Sequence, residues 1–185
     1  LTGVTAVKSR KKIVLFGMDV DGVLSDGGIY YGDSGLEIKR FHVRDGMGIT
    51  MLRNAGVVPF IITARRSEAT ARRARELGID EAHQGIRDKL SCLRDIAGRH
   101  NAALEEISFL GDDLADLPVL GAVGLPMAVG DAVEEVKAVA EYVTSLPGGH
   151  GAVREACERV LELNGRGKAF YRLSGYRPVD EDEQA

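Results

Sequence analysis

The chain has 185 residues, 44% of them hydrophobic but only 5% aromatic, with a formal charge of −4 at pH 7, which suits one compact domain with an aliphatic core. So mild an acidity excludes the strongly basic face of a general nucleic-acid binder and points to a small-molecule partner. No apolar stretch approaches the roughly 18 residues of a membrane span, so no membrane role is expected. The first twelve residues lack an apolar signal core, which places the protein in the cytoplasm.

Residues 1–12 are polar and basic and read as a flexible arm ahead of a domain over 13–163. The apolar run Ile13-Val14-Leu15-Phe16-Gly17-Met18 predicts a buried strand that ends in Asp19-Val20-Asp21-Gly22, two acids and a glycine turn. Residues 28–41 alternate around Asp33-Ser34-Gly35 as a hairpin should, an insertion between strand and helix. From Gly46 the period changes, and Met47, Ile49, Met51 and Leu52 predict a helix that stops at Gly56. A second buried strand follows over 57–63. Ser67 caps a helix over 68–77 that Gly78 closes, ahead of a short segment over 79–83. The unit then repeats: helix 89–99, strand 107–110, helix 114–123, strand 126–129, helix 132–140, strand 142–144, helix 151–163. Residues 164–185 are rich in glycine and charge and read as a tail.

Strands alternating with helices in this way predict an α/β fold, a doubly wound Rossmann-like parallel sheet covered on both faces. In such sheets the C-terminal strand edge binds ligands, and Asp19, Asp21, Asp112 and Asp113 all fall there. Carboxylates gathered so closely repel one another unless a cation holds them. Taken singly, Thr63 is a strand end, Lys89 a surface lysine and Gly111-Asp112-Asp113 a turn. Cys92 and Cys157 fit no metal spacing and read as small apolar groups. The four histidines fit no shared zinc spacing.

Taken together, in the order two acids, a hydroxyl, an amine and more acids, these residues resemble the haloacid dehalogenase superfamily of phosphotransferases. Its four motifs match Asp19-Val20-Asp21-Gly22-Val23, Ile61-Ile62-Thr63, Lys89 and Gly111-Asp112-Asp113-Leu114-Ala115-Asp116. The resemblance implies that Asp19 is the nucleophile that becomes an aspartyl phosphate and that Asp21 is the general acid and base. It implies that Thr63 and Lys89 bind the phosphoryl oxygens. Mg²⁺ is the implied ion, held by the carboxylates of Asp19 and Asp112 and the backbone carbonyl of Asp21, with Asp113 and Asp116 orienting that shell.

The gaps between motifs leave no room for the cap domain that many members of the superfamily carry. The chain is similar to an uncapped branch, the tetrameric phosphatases of 3-deoxy-D-manno-octulosonate 8-phosphate, which serve lipopolysaccharide sugar synthesis. That likeness runs from Asp19-Val20-Asp21-Gly22-Val23-Leu24-Ser25-Asp26-Gly27 through Val43-Arg44-Asp45-Gly46 and Asp88-Lys89-Leu90 to Gly148-Gly149-His150-Gly151-Ala152-Val153-Arg154-Glu155. It implies a sugar phosphate substrate, a homotetramer joined through the hairpins, and a site that a neighbour's surface and tail complete. Arg65 and Arg44 are the implied substrate-binding arginines, with Arg65 near the sugar carboxylate. A related phosphatase of a nine-carbon keto-sugar acid phosphate has glutamate where Arg65 stands, so arginine favours the eight-carbon substrate. Ala64 stands where the branch usually has glycine.

Two other readings compete. A signalling receiver domain places its acid pair and its phosphorylated Asp on separate early strands, whereas here the second acid cluster follows Thr63 and Lys89. A non-catalytic tetramerisation module of a sugar-nucleotide enzyme shares the fold with degraded acids, whereas Asp19, Asp21, Lys89 and Asp112 are intact here.

Overall fold

The computed structural model describes residues 11–167. The expected arm and tail therefore fall mostly outside the described residues. β1 (Leu15–Met18) is the founding strand, and the chain leaves it through a wide turn closed by Ser25 N donating to Val20 O at 2.8 Å. β2 (Tyr30–Tyr31) and β3 (Glu37–Ile38) form the inserted hairpin, pairing Tyr30 with Ile38 and Tyr31 with Glu37. An antiparallel bridge between Ser25 and Phe41 fastens the base of the hairpin to the wide turn.

The remaining strands are β4 (Val58–Thr63), β5 (Glu81–Gln84), β6 (Ile107–Gly111), β7 (Leu125–Ala128) and β8 (Tyr142–Val143). With β1 they form one parallel sheet in the order β5-β4-β1-β6-β7-β8. The helices are α1 (Val43–Asn54), α2 (Glu68–Leu77), α3 (Lys89–Arg99), α4 (Leu117–Leu120), α5 (Glu134–Val139) and α6 (Ala152–Leu163). From β1 the chain steps outward through β4 and β5, then crosses back to β6 on the other side. Right-handed crossovers accordingly put α1 and α2 on one face and α3, α4 and α5 on the other, and α6 returns to pack on α1. The reversal of direction beside β1 is the topological switch point of the sheet.

Gly17 explains how the centre of the sheet closes. It lies beside both Phe60 and Phe109, and a Cβ there would come within 2.2 Å of the Phe60 ring and 2.6 Å of Phe109. The two rings instead meet across it with centroids 6.2 Å apart. Asn164, where the tail is expected to begin, stops α6 and pairs with the start of the domain. Its side-chain amide accepts from Ile13 N at 2.9 Å and donates to Ile13 O at 2.8 Å.

Several boundaries differ from the sequence expectation. α1 begins at Val43 rather than Gly46. The helix expected over 114–123 is a tight turn over Leu114–Asp116 followed by the short α4. Pro118 has no N–H to offer the Leu114 carbonyl, so a continuous α-helix cannot run through both.

Candidate active site

The residues singled out in the sequence arrive at the switch point from four separate elements. Asp19 follows β1, Thr63 ends β4, Asp112 follows β6 and Lys89 opens α3. Asp88 caps α3 by accepting from Ser91 N at 3.0 Å, which fixes the turn from which Lys89 projects. The Lys89 side chain is only 2% exposed and its ammonium donates to Asp19 Oδ2 at 2.8 Å and to Asp116 Oδ1 at 2.7 Å. Burial alone would lower the lysine's pKa, but the charges of Asp19 and Asp116 hold it above the usual value.

Asp19 Oδ1 accepts from Val20 N at 2.6 Å, so both of its oxygens are engaged. Burial raises its carboxyl, Lys89 pulls it down and Asp116 pushes it up, with a net rise. Asp116 spans the gap to the next acid, since its Oδ2 accepts from Asp112 N at 3.1 Å. Oxygens of Asp19, Asp112 and Asp116 lie within 4.8 Å of one another. Gly22 makes that convergence possible. At φ +85° it occupies a conformation that favours glycine, and a Cβ there would stand 2.0 Å from Asp112 Oδ2.

A cation fits this donor set. Asp112 Oδ1 is buried with no hydrogen-bond partner among the described residues. Burial first, then the charges of Asp19, Asp116 and Asp113, push the Asp112 carboxyl up to about 8. A bound dication would satisfy the orphan oxygen and reverse the rise, and an all-oxygen set suits Mg²⁺. Asp116 serves Lys89 and Asp112 N, and Asp19 serves Lys89 and Val20 N, so of the three carboxylates Asp112 is the one with a buried oxygen left over for an ion. Asp113 is exposed and accepts from Leu114 N at 2.7 Å, at the start of the turn that carries Asp116.

Asp21 belongs to a second network, built from the hairpin. Its Oδ1 is ion-paired to Lys39, whose side chain is 1% exposed, and its Oδ2 lies 3.7 Å from Arg65 Nε. Arg65 Nη2 also donates to Tyr31 Oη at 3.0 Å and to Glu37 Oε2 at 3.4 Å. The Ser67 hydroxyl, aided by Lys39 and Arg65, holds Glu37 below the usual carboxylate range. Ala64 is exposed and is not among the positive-φ residues, so its methyl group meets no backbone strain. Arg44 is not brought to either network. It is exposed in the first turn of α1 and borders a hollow with Ser145, Leu146, Arg154 and Glu158.

Sequence reasoning missed Tyr31, Glu37 and Lys39. A signal was present, because Glu37 and Lys39 are two apart on a predicted hairpin arm and so share a face, and Tyr31 is the cross-strand partner of Glu37. The opposite face carries Tyr30, Leu36 and Ile38, all at least half exposed.

Among known proteins, residues 79–154 match the family of haloacid dehalogenase-like hydrolases. The chain is similar to the 3-deoxy-D-manno-octulosonate 8-phosphate phosphatase of Yersinia pestis, with 43% identity over 155 residues, 84% of this chain and 83% of that protein. It is also similar to the solved structure of the Moraxella catarrhalis phosphatase in complex with magnesium ion, phosphate ion and KDO. There the TM-score is 0.85 and the identity 42%, covering 89% of this chain and 95% of that one. The cobalt-bound deoxy-D-mannose-octulosonate 8-phosphate phosphatase of Haemophilus influenzae gives a TM-score of 0.82 at 38% identity, over 86% and 93% of the two chains.

Proposed function

From the premise that this chain belongs to the haloacid dehalogenase-like family of 3-deoxy-D-manno-octulosonate 8-phosphate phosphatases, we propose that it hydrolyses that eight-carbon sugar phosphate with the residues described above. The chain is a phosphoric monoester hydrolase. The observation that supports this reading most is the meeting of Asp19, Lys89 and Asp112 at the switch point, around a buried carboxylate oxygen without a partner among the described residues, which a cation would satisfy.

Asp19 attacks phosphorus and the bond to the sugar oxygen breaks, its electron pair leaving with the alkoxide as Asp21 supplies a proton. Water then attacks phosphorus of the aspartyl phosphate, Asp21 takes its proton, and the bond to Asp19 breaks to release phosphate. The covalent route divides one difficult displacement into two easier ones. Lys89 places a fixed positive charge beside Asp19, and Thr63 a hydroxyl at the neighbouring strand end, where the phosphoryl oxygens gather charge. Asp19, Asp112 and the backbone carbonyl of Asp21 would hold Mg²⁺, which when bound offsets the repulsion between a carboxylate and a phosphate dianion. Two unit charges at ~4 Å repel by about 4 kcal/mol at an effective dielectric near 20, and Lys89, already shared between Asp19 and Asp116, would offset that repulsion together with the ion. Asp116 fixes Lys89 and Asp112 in place, and Asp113 sets the turn between them.

Arg65 suits a sugar carboxylate, because its guanidinium is already aimed at the same crevice as Asp21. Arg44 would reach substrate only from a neighbouring subunit. The exposed apolar face of Tyr30, Leu36 and Ile38 supports a homotetramer joined through hairpins, with a neighbour walling an uncapped site. Among the described residues no helix is long and apolar enough to cross a membrane. The free thiols of Cys92 and Cys157 suit the cytoplasm.

Phosphate release from a panel of eight- and nine-carbon keto-acid phosphates, with Mg²⁺ present, tests the assignment. The eight-carbon compound is expected to give the highest kcat/KM. Preference for a nine-carbon compound would move the protein to the sister activity, and no release from any would support the non-catalytic module.

A further inference from the structure

Each of the two acids in Asp19-Val20-Asp21 has its own buried lysine. Lys89 serves Asp19, and Lys39, from the hairpin, serves Asp21. An ammonium whose side chain is 1% exposed needs a partner, and the carboxylates beside it are Asp21, paired at Oδ1, and Glu37, at 3.8 Å. The separation is set by backbone, since the Ser25–Phe41 bridge ties the hairpin strand that carries Lys39 to the wide turn that carries Asp21. Asp21 Oδ2, by contrast, is buried without a hydrogen-bond partner among the described residues. One oxygen of this carboxyl is pinned by an ammonium, and the other, 3.7 Å from Arg65 Nε but without a hydrogen bond, is open to a proton.

We infer that Lys39 is a positioning residue for proton transfer, holding Asp21 Oδ1 so that Oδ2 faces the departing sugar oxygen. The inference rests on the reading of Asp21 as general acid and adds the residue that aims it. A carboxyl with one anchored oxygen has one productive orientation, whereas a free one must find it at each turnover. A purely structural Lys39 would glue the hairpin to the domain and affect all substrates alike.

The two roles separate by leaving group. 4-Nitrophenyl phosphate expels a stable phenolate that needs no proton, phenyl phosphate a poorer one, and the sugar phosphate an alkoxide that needs the acid fully. Because kcat/KM reports steps up to departure of the leaving group, it isolates the acid role from the later attack of water. For Lys39→Met, which keeps the apolar stem, kcat/KM should fall about 100-fold on the sugar phosphate, about 10-fold on phenyl phosphate and less than about 3-fold on 4-nitrophenyl phosphate. Equal losses on all three, no loss on any, or a loss confined to the sugar phosphate with the two aryl esters alike would overturn the assignment. Wild-type protein idle on all three would sink the phosphatase reading itself, and the assignment with it.

Discussion

Lys89 and Lys39 bury their ammonium groups against carboxylates two residues apart, yet they come from different kinds of structure. Lys89 opens an eleven-residue helix capped by Asp88 and packed on the central sheet, and its partners lie just after core strands, Asp19 after β1 and Asp116 in the turn after β6. Lys39 follows a strand of two residues in a hairpin whose other face is exposed. The sheet edge is held by the fold as a whole, so its geometry persists whatever surrounds it. The hairpin is held by one bridge and a few polar contacts, so what covers its outer face also steadies the acid that it aims. On the proposed reading, attack on phosphorus belongs to the rigid part and the aiming of the acid to the part free to vary.

The strongest way to break this contrast is to remove the nucleophile. Asp19→Asn should lower kcat by about 10⁴-fold or more while circular dichroism stays native, since volume is unchanged and Lys89 keeps Asp116. Appreciable turnover would remove the sheet edge from the chemistry.

Withdrawing the cation should next expose the strain stored at that edge. In chelated protein, Asp19 and Asp112 have folded-state pKa values raised above the ordinary 3.8, Asp112 to about 8, so the folded state holds protons that the unfolded chain has released. Apo stability contributed by these groups therefore falls as pH rises from about 4 to about 8. Mg²⁺ should raise the melting temperature more at pH 8 than at pH 5 and should restore phosphatase activity. A Mg²⁺ effect independent of pH would place the ion elsewhere.

The smallest expected change in the protein's own fold belongs to the hairpin. Ile38→Lys, at a site 50% exposed, should leave monomer stability within about 0.5 kcal/mol but shrink the assembly measured by light scattering. An unchanged mass would mean that copies meet through another face.

How far the sequence discloses this architecture depends on where each residue gets its instructions. The bounds of α2 and α3 are legible because caps are local: Ser67 and Asp88 accept from backbone N–H groups three residues on, and Gly78 closes α2 in a left-handed conformation. Asp19, Thr63 and Asp112 are legible because an apolar run followed by a polar residue marks a strand end. The start of α1 is hidden by Gly46 and Gly48, which weaken a helix taken alone but let it pack closely on α2 and α6. The wide turn after Asp19 and the Lys39–Asp21 pair are hidden for a deeper reason. They depend on which strand lies beside which, and eighteen residues separate the partners.

The Asn164–Ile13 pairing has a directional consequence. Ile13 precedes the first strand, so α6 ends at the edge of the sheet opposite the carboxylates. Asp19 stands six residues beyond Ile13, about 20 Å along an extended chain, so the end of α6 is anchored far from the nucleophile of its own subunit.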